Sequence, residues 1–216
     1  MRQIPRLSVI TVSIALLMTL SSCSDTQNTP ETDDQPPTPT EKREMTSDVQ
    51  ENKANGDSPQ GSVTDAANFE ITENEDGTVT ISRYIGTETD IVIPSQIDGK
   101  TVSAIGNVTG TTGAFEGCTN ITSVVIPDGV TEIQDNAFYG CTSLETVTIP
   151  SGVTLLRNCA FCDCPNLRAV YFKGDAPQQA NYVFDSAENV TMYYQDGTSG
   201  WENPWHGRPA EVYIPE

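Results

Sequence analysis

From residue 121 onward the apolar positions of the chain return every 23 residues. Ile121, Leu144, Leu167 and Val190 lie on one such line, Val124, Val147 and Val170 on a second, and Ile126, Ile149 and Phe172 on a third. Pro127 and Pro150, Val130 and Val153, and Ile133 and Leu156 keep the same step. Ala137-Phe138 and Ala160-Phe161 are followed by Val183-Phe184, with Phe115 leading the aromatic series. Cys118, Cys141 and Cys164 make a further line that ends at Ala187. Two copies, 121–143 and 144–166, are unbroken. In a weaker third, 167–189, Lys173 stands where Pro is expected and Gln179 where Ile is expected, so a distorted coil is predicted there. An earlier copy, from Asp90 to Asn120, is longer: Ile93-Pro94 and Ile126-Pro127 are 33 residues apart. The segments 96–100 and 107–113 are the natural places for its ten additional residues.

Each copy has one physical logic. The apolar first, fourth and sixth positions fall on a short β-branched stretch, which predicts a strand. Pro and Gly then force a turn, and the later Val, Ile, Ala-Phe and Cys lie on an irregular return segment. A single copy cannot bury this set. Stacked copies place equivalent side chains about 4.8 Å apart and create a continuous interior. Phe115, Phe138, Phe161 and Phe184 should then form one column. The third and fifth positions of each strand face outward. They give a row of Ser123, Thr146 and Ala169 and a row of Val125, Thr148 and Tyr171, which Tyr193 or Tyr194 extends.

The N-terminal part has a different character. Arg2 and Arg6 precede an apolar run from Leu7 to Leu20, too short for a comfortable permanent span. It ends Leu20-Ser21-Ser22-Cys23, which resembles the lipobox of bacterial lipoproteins. That resemblance implies a signal peptide over 1–22 and a lipid on Cys23. Residues 23–66 are the lipidated cysteine and a polar, acidic stretch punctuated by Pro30, Pro36, Pro37, Pro39 and Pro59. Too few apolar groups are present to offset the entropy of ordering, so a disordered tether is expected.

The pattern LxxVxIPxxVxxIxxxAFxxCxx resembles the BspA-like leucine-rich repeats of bacterial surface antigens. The resemblance implies a mainly β fold: a leucine-rich-repeat solenoid of about four coils over 91–189. Residues 67–90, with FEITENEDGTVTISRY turning at Glu75-Asp76-Gly77, resemble an N-terminal entry hairpin. Residues 190–216, with Tyr193-Tyr194, Trp201, Trp205 and Gly207-Arg208-Pro209, resemble a C-terminal cap. Surface display and adhesion or protein binding are implied with the fold.

Charge and chemistry narrow the function. The formal net charge is -19, which disfavours nucleic acid and anionic lipid as partners. One histidine, His206, leaves no readable pairing of a nucleophile with a base, so no catalytic residue and no enzyme activity is assigned. Cys159, Cys162 and Cys164 lack a fourth ligand, so no metal and no cofactor is expected. A Cys159–Cys162 or cross-coil disulfide and free thiols remain open for them, while Cys118, Cys141 and Cys164 are expected to be small buried groups. Asn74-Glu75-Asp76-Gly77 and Asp128-Gly129 are oxygen-rich, but their spacing is that of turns.

The expected function is that of a lipoprotein of the cell envelope, anchored to the membrane through Cys23 and surface-exposed. It would bind a protein or glycan through Ser123, Val125, Thr146, Thr148, Ala169, Tyr171 and Tyr193. The alternative is a structural or accessory lipoprotein that takes polysaccharide through the aromatic cap, with Trp201 and Trp205 stacking on sugar rings. Their other expected role is to close the open end of the interior.

Overall fold

The computed structural model of the chain describes residues 61–107 and 112–214. The expected signal segment, Cys23 and nearly all of the tether lie outside them, as does most of the second expected insertion.

The chain opens with an antiparallel hairpin, β1 (Phe69–Glu73) and β2 (Val79–Tyr84). Its turn is where Asn74-Glu75-Asp76-Gly77 predicts it, with Asp76 accepting from both the amide and the hydroxyl of Thr78. The winding part follows as β3 (Asp90–Val92), β4 (Gln96–Ile97), β5 (Lys100–Ile105), β6 (Ser123–Val125), β7 (Glu132–Ile133), β8 (Thr146–Ile149), β9 (Leu155–Leu156), β10 (Ala169–Phe172) and β11 (Gln178–Gln179). β12 (Thr191–Gln195) and β13 (Ala210–Tyr213) close the chain. The first expected insertion is a small antiparallel excursion of β4 on β5, turning at Asp98-Gly99, both with positive φ.

Alternate strands go to two walls. β3, β6, β8, β10, β12 and β13 form a parallel six-stranded sheet, and β2, β5, β7, β9 and β11 run parallel in the other, with β1 at its start. The expected cap thus contains two strands, β12 and β13, and both prolong the first sheet. The edge at β3 is covered: Thr64 donates to Val92 O at 2.9 Å and takes the Val92 amide on its hydroxyl.

The return segments make a third wall without strands. Tyr84 N–H donates to Ala114 O, Phe115 N–H to Ala137 O, Phe138 N–H to Ala160 O and Phe161 N–H to Val183 O, at 2.7–2.9 Å. The turn in each coil needs a left-handed residue, supplied in register by Gly117, Gly140, Asp163 and Ser186 (φ 70°, 69°, 54° and 58°). Glycine adopts this backbone without strain, and the later residues accept it at a cost.

The aromatic column exists. Centroids of Phe115, Phe138, Phe161 and Phe184 are 4.8, 5.1 and 5.4 Å apart, with planes within 14°. Tyr84 adds a fifth ring, 5.3 Å from Phe115. Sequence spacing misses it because the hairpin lies outside the period. Around the column the predicted lines are buried, including Ile121, Leu144, Leu167 and Val190. The cysteine line is held by the same stacking: Cys141 Sγ–H donates to Phe115 O at 3.1 Å and Cys164 Sγ–H to Phe138 O at 3.2 Å.

Two expectations need correction. The coil of Lys173 and Gln179 is not distorted, since Gln178 and Gln179 pair in register with Leu155 and Leu156. Backbone stacking fixes that register even where the side chain breaks the pattern. The 23-residue step also fails after Val190. Val170 pairs with Met192 and Tyr171 with Tyr193, so the last strand arrives one residue early.

At the entry, Tyr84 O–H donates to Glu88, whose other oxygen accepts from Asn68 Nδ2 at 2.6 Å. The hydroxyl bond holds the Glu88 carboxyl below its ordinary range, while burial, followed by Glu88, pushes the Tyr84 phenol up. A carboxyl lowered by folding stabilises above its unfolded value of about 4.3 and loses that stabilisation as pH falls through its folded value. Glu88→Gln should therefore flatten the fall in melting temperature below about pH 4.3. Phe138→Ala, which opens a void in the middle of the column, should cost about 3–5 kcal/mol in a denaturant titration.

Candidate functional site

The outward face of the six-stranded sheet carries the residues that the strand alternation singles out. Cross-strand register places Asp90, Ser123, Thr146, Ala169 and Thr191 in one row. Val92, Val125, Thr148, Tyr171, Tyr193 and Glu211 make the second. The rows are as expected, but their exposure is not uniform. Ser123, Thr148 and Ala169 are 7%, 3% and 8% exposed, which corrects their assignment as presented groups. Strands about 4.8 Å apart let a larger neighbour shade a small one. Thr148 sits between Val125 and Tyr171, and Ser123 Oγ–H is turned to Asp90 at 2.5 Å. Val125, Thr146, Tyr171 and Tyr193 remain half-exposed.

The face ends in a tyrosine cluster. Tyr193 stacks on Tyr171 at 5.1 Å and 19°, and Tyr213 meets Tyr171 edge-on at 5.4 Å and 79°. Such offset and edge geometries suit the ring quadrupole. The early arrival of β12 makes the cluster: a strict 23-residue step would have set Tyr194 beside Tyr171. Tyr194 instead takes the register position of Phe172. Burial raises the phenol pKa of Tyr171 and of Tyr213 above the ordinary tyrosine value. Both therefore stay neutral donors at physiological pH. Sequence reasoning missed Tyr213; the alternation Ala210, Glu211, Val212, Tyr213 was the available signal.

Trp205 belongs to the interior, and the partly buried Trp201 packs against it. Trp205 is 4% exposed and packs on Phe172 and Trp201, with centroids 5.7 and 4.8 Å away. Trp201 stacks on Tyr194 at 5.0 Å and 3°, lies 4.8 Å from Phe172, and donates its indole N–H to Gly174 O at 3.3 Å. Their expectation as sugar platforms is corrected for Trp205, whose burial leaves a sugar no access. Closing the apolar end of the solenoid is the role this geometry supports.

Cysteine chemistry is also placed. Cys159 and Cys162 are disulfide-bonded across one turn, with Cα atoms 4.6 Å apart. Cys141 and Cys164 are free and buried. Burial pushes the Cys164 thiol up to about 12 and that of Cys141 well above its usual value, so neither is a nucleophile at neutral pH. Among the described residues, no group of three or more His, Cys, Asp or Glu is placed to hold a metal ion. His206 lies edge-on to Trp205.

Residues 110–197 match the family model described as the BspA type leucine-rich repeat region, in six copies. They are BspA-type leucine-rich repeats. Solved leucine-rich repeat proteins agree. One from T. pallidum is 24% identical with a TM-score of 0.51, covers 72% of this chain, and is covered to 84% by it, a likeness of fold. A leucine-rich cell surface protein from Faecalibacterium prausnitzii is 31% identical with a TM-score of 0.51 over 74% of this chain, which spans 44% of that protein. A third, from Bacteroides capillosus, is 26% identical with a TM-score of 0.50 over 61% of this chain and 99% of its own length. No curated protein matches the chain.

The leucine-rich-repeat face allows a direct test of which residues it presents. Thr148→Asp should destabilise by about 3 kcal/mol or more, since it buries an unpaired charge. Thr146→Asp, at a position that is itself partly exposed, should change stability by less than about 1 kcal/mol. Melting curves of the two variants decide it.

Proposed function

We propose that this chain is a protein-interaction module of the cell envelope that grips its partner with the tyrosine end of the six-stranded sheet. One observation carries the reading. Tyr171, Tyr193 and Tyr213 form a contiguous, half-exposed cluster on a face whose middle carries Ser, Thr, Ala and Val, with Asp90 and Glu211 at its two ends. Tyrosine supplies large contact area at low conformational cost and keeps a hydroxyl for hydrogen bonding, which is why it concentrates in binding hot spots. The cell-surface leucine-rich repeat protein among the structural relatives supports display outside the cell. The lipobox-like Leu20-Ser21-Ser22-Cys23 supports a lipid anchor on Cys23, with residues 24–60 as the tether, since Thr64 of the expected tether is instead bonded to Val92.

The competing reading, polysaccharide on the aromatic cap, loses support from the burial of Trp205. Binding, not catalysis, is the activity assigned.

An array of purified secreted proteins and of glycans tests the sheet-face reading. Tyr171→Ala with Tyr193→Ala should weaken binding of a protein partner about thirtyfold, for a loss of about 2 kcal/mol, with little change in melting temperature. A bound glycan with no bound protein, or binding that survives both substitutions, sinks the reading. Separately, Cys23→Ser should move the chain from the membrane to the soluble fraction and abolish fatty-acid labelling.

A further inference from the structure

Three stacking series reach the fourth coil, and none is satisfied beyond it. In the first, the N–H groups of Tyr84, Phe115, Phe138 and Phe161 each donate to the coil that follows, and Phe184 N–H comes next in line. Among the described residues it finds no acceptor. In the second, Gly117, Gly140 and Asp163 N–H donate to Tyr139, Cys162 and Asp185 O, and Ser186 N–H is likewise left over. In the third, the inward line Ile105, Ile133 and Leu156 ends in Gln179, whose Nε2 is buried with no hydrogen-bond partner. The cap turn 205–208 stands where a fifth return segment would lie, yet it supplies none of these groups with an acceptor.

Between the two is a cavity of about 270 Å³, lined by Gln179, Phe184, Asp185, His206 and Arg208 among others. Arg208 holds its guanidinium there by donating to Phe184 O at 3.0 Å and Glu188 O at 3.3 Å. The site thus gathers three kinds of donor, a backbone amide, a carboxamide and a guanidinium, beside one carboxylate, that of Asp185. Of these donors the Gln179 carboxamide nitrogen is buried, and a ligand that supplies it an acceptor recovers the cost of leaving it unpaired. The partner with two acceptor oxygens and a matching charge is a carboxylate. An extended peptide has a route to it, because β11 is the terminal strand of its sheet, and Tyr182, 72% exposed, stands beside it.

We propose that this cavity is a carboxylate-binding site that takes the C-terminal carboxylate of a peptide, separate from the tyrosine face. The long-range negative field of the chain opposes a free anion. A peptide, with added contacts along β11 and Tyr182, is favoured over an isolated carboxylate.

The test is an amide-resolved NMR titration of the purified chain with three probes: acetate, a short peptide with a free C-terminus, and the same peptide amidated. The free-terminus peptide should move the Phe184 and Ser186 amide resonances with a Kd at least about tenfold below that of the amidated form. Acetate should move the same resonances only weakly. Acetate matching the peptide would support the carboxylate site and overturn the peptide terminus as its source. Gln179→Leu restores the apolar line, so it should raise the melting temperature while weakening the peptide about tenfold. Unmoved Phe184 and Ser186 resonances, equal binding of the amidated peptide, or undiminished binding by a folded Gln179→Leu variant would overturn the proposal.

Discussion

An apolar side chain in this domain is buried mainly by its own equivalent one coil away. That constraint explains why the lines of Ile, Val, Phe and Cys are so strict and why the positions between them are free to vary. The phenylalanine column shows it most plainly: each ring is covered above and below by another ring at about the spacing of neighbouring strands. The backbone obeys the same rule on all three walls. Gln179 keeps its register although its side chain is wrong for the place, because hydrogen bonds to the coil before it survive the change.

A stack of this kind has two ends, and each needs its own chemistry. At the entry, the hairpin brings Tyr84 onto Phe115 and anchors its hydroxyl to Glu88, so the terminal ring is both apolar and hydrogen-bonded. At the exit, Trp201 and Trp205 cover Phe172, and Arg208 satisfies two carbonyls. The remaining donors of the fourth coil are not covered. This asymmetry separates the outward sheet face, a surface of side chains, from the exit cavity, a surface of unspent backbone and amide groups.

Much of this was legible in the sequence wherever a position repeats. Four aligned phenylalanines, the cysteine line and the outward rows could be counted directly. What escaped lies where the period breaks. Tyr84 sits in a hairpin with no counterpart in the repeats. The one-residue shortening after Val190 decides that Tyr193, and not Tyr194, meets Tyr171. Tyr213 comes from a strand beyond the last copy. The burial of Thr148 escaped for another reason: alternation along a strand gives the side a residue faces, whereas its exposure depends on the bulk of Val125 and Tyr171 on either side.

The most direct measurement of the stacking account is thermal unfolding, followed by circular dichroism, of a chain from which residues 121–143 have been removed. This excision takes out one whole coil and joins Asn120 to Leu144 with every line still in register. The account predicts a β-sheet spectrum and a single cooperative transition at a lower temperature, while removing only residues 121–132 leaves no transition at all. A full-coil deletion that fails to fold, or a half-coil deletion that folds as well, would contradict it.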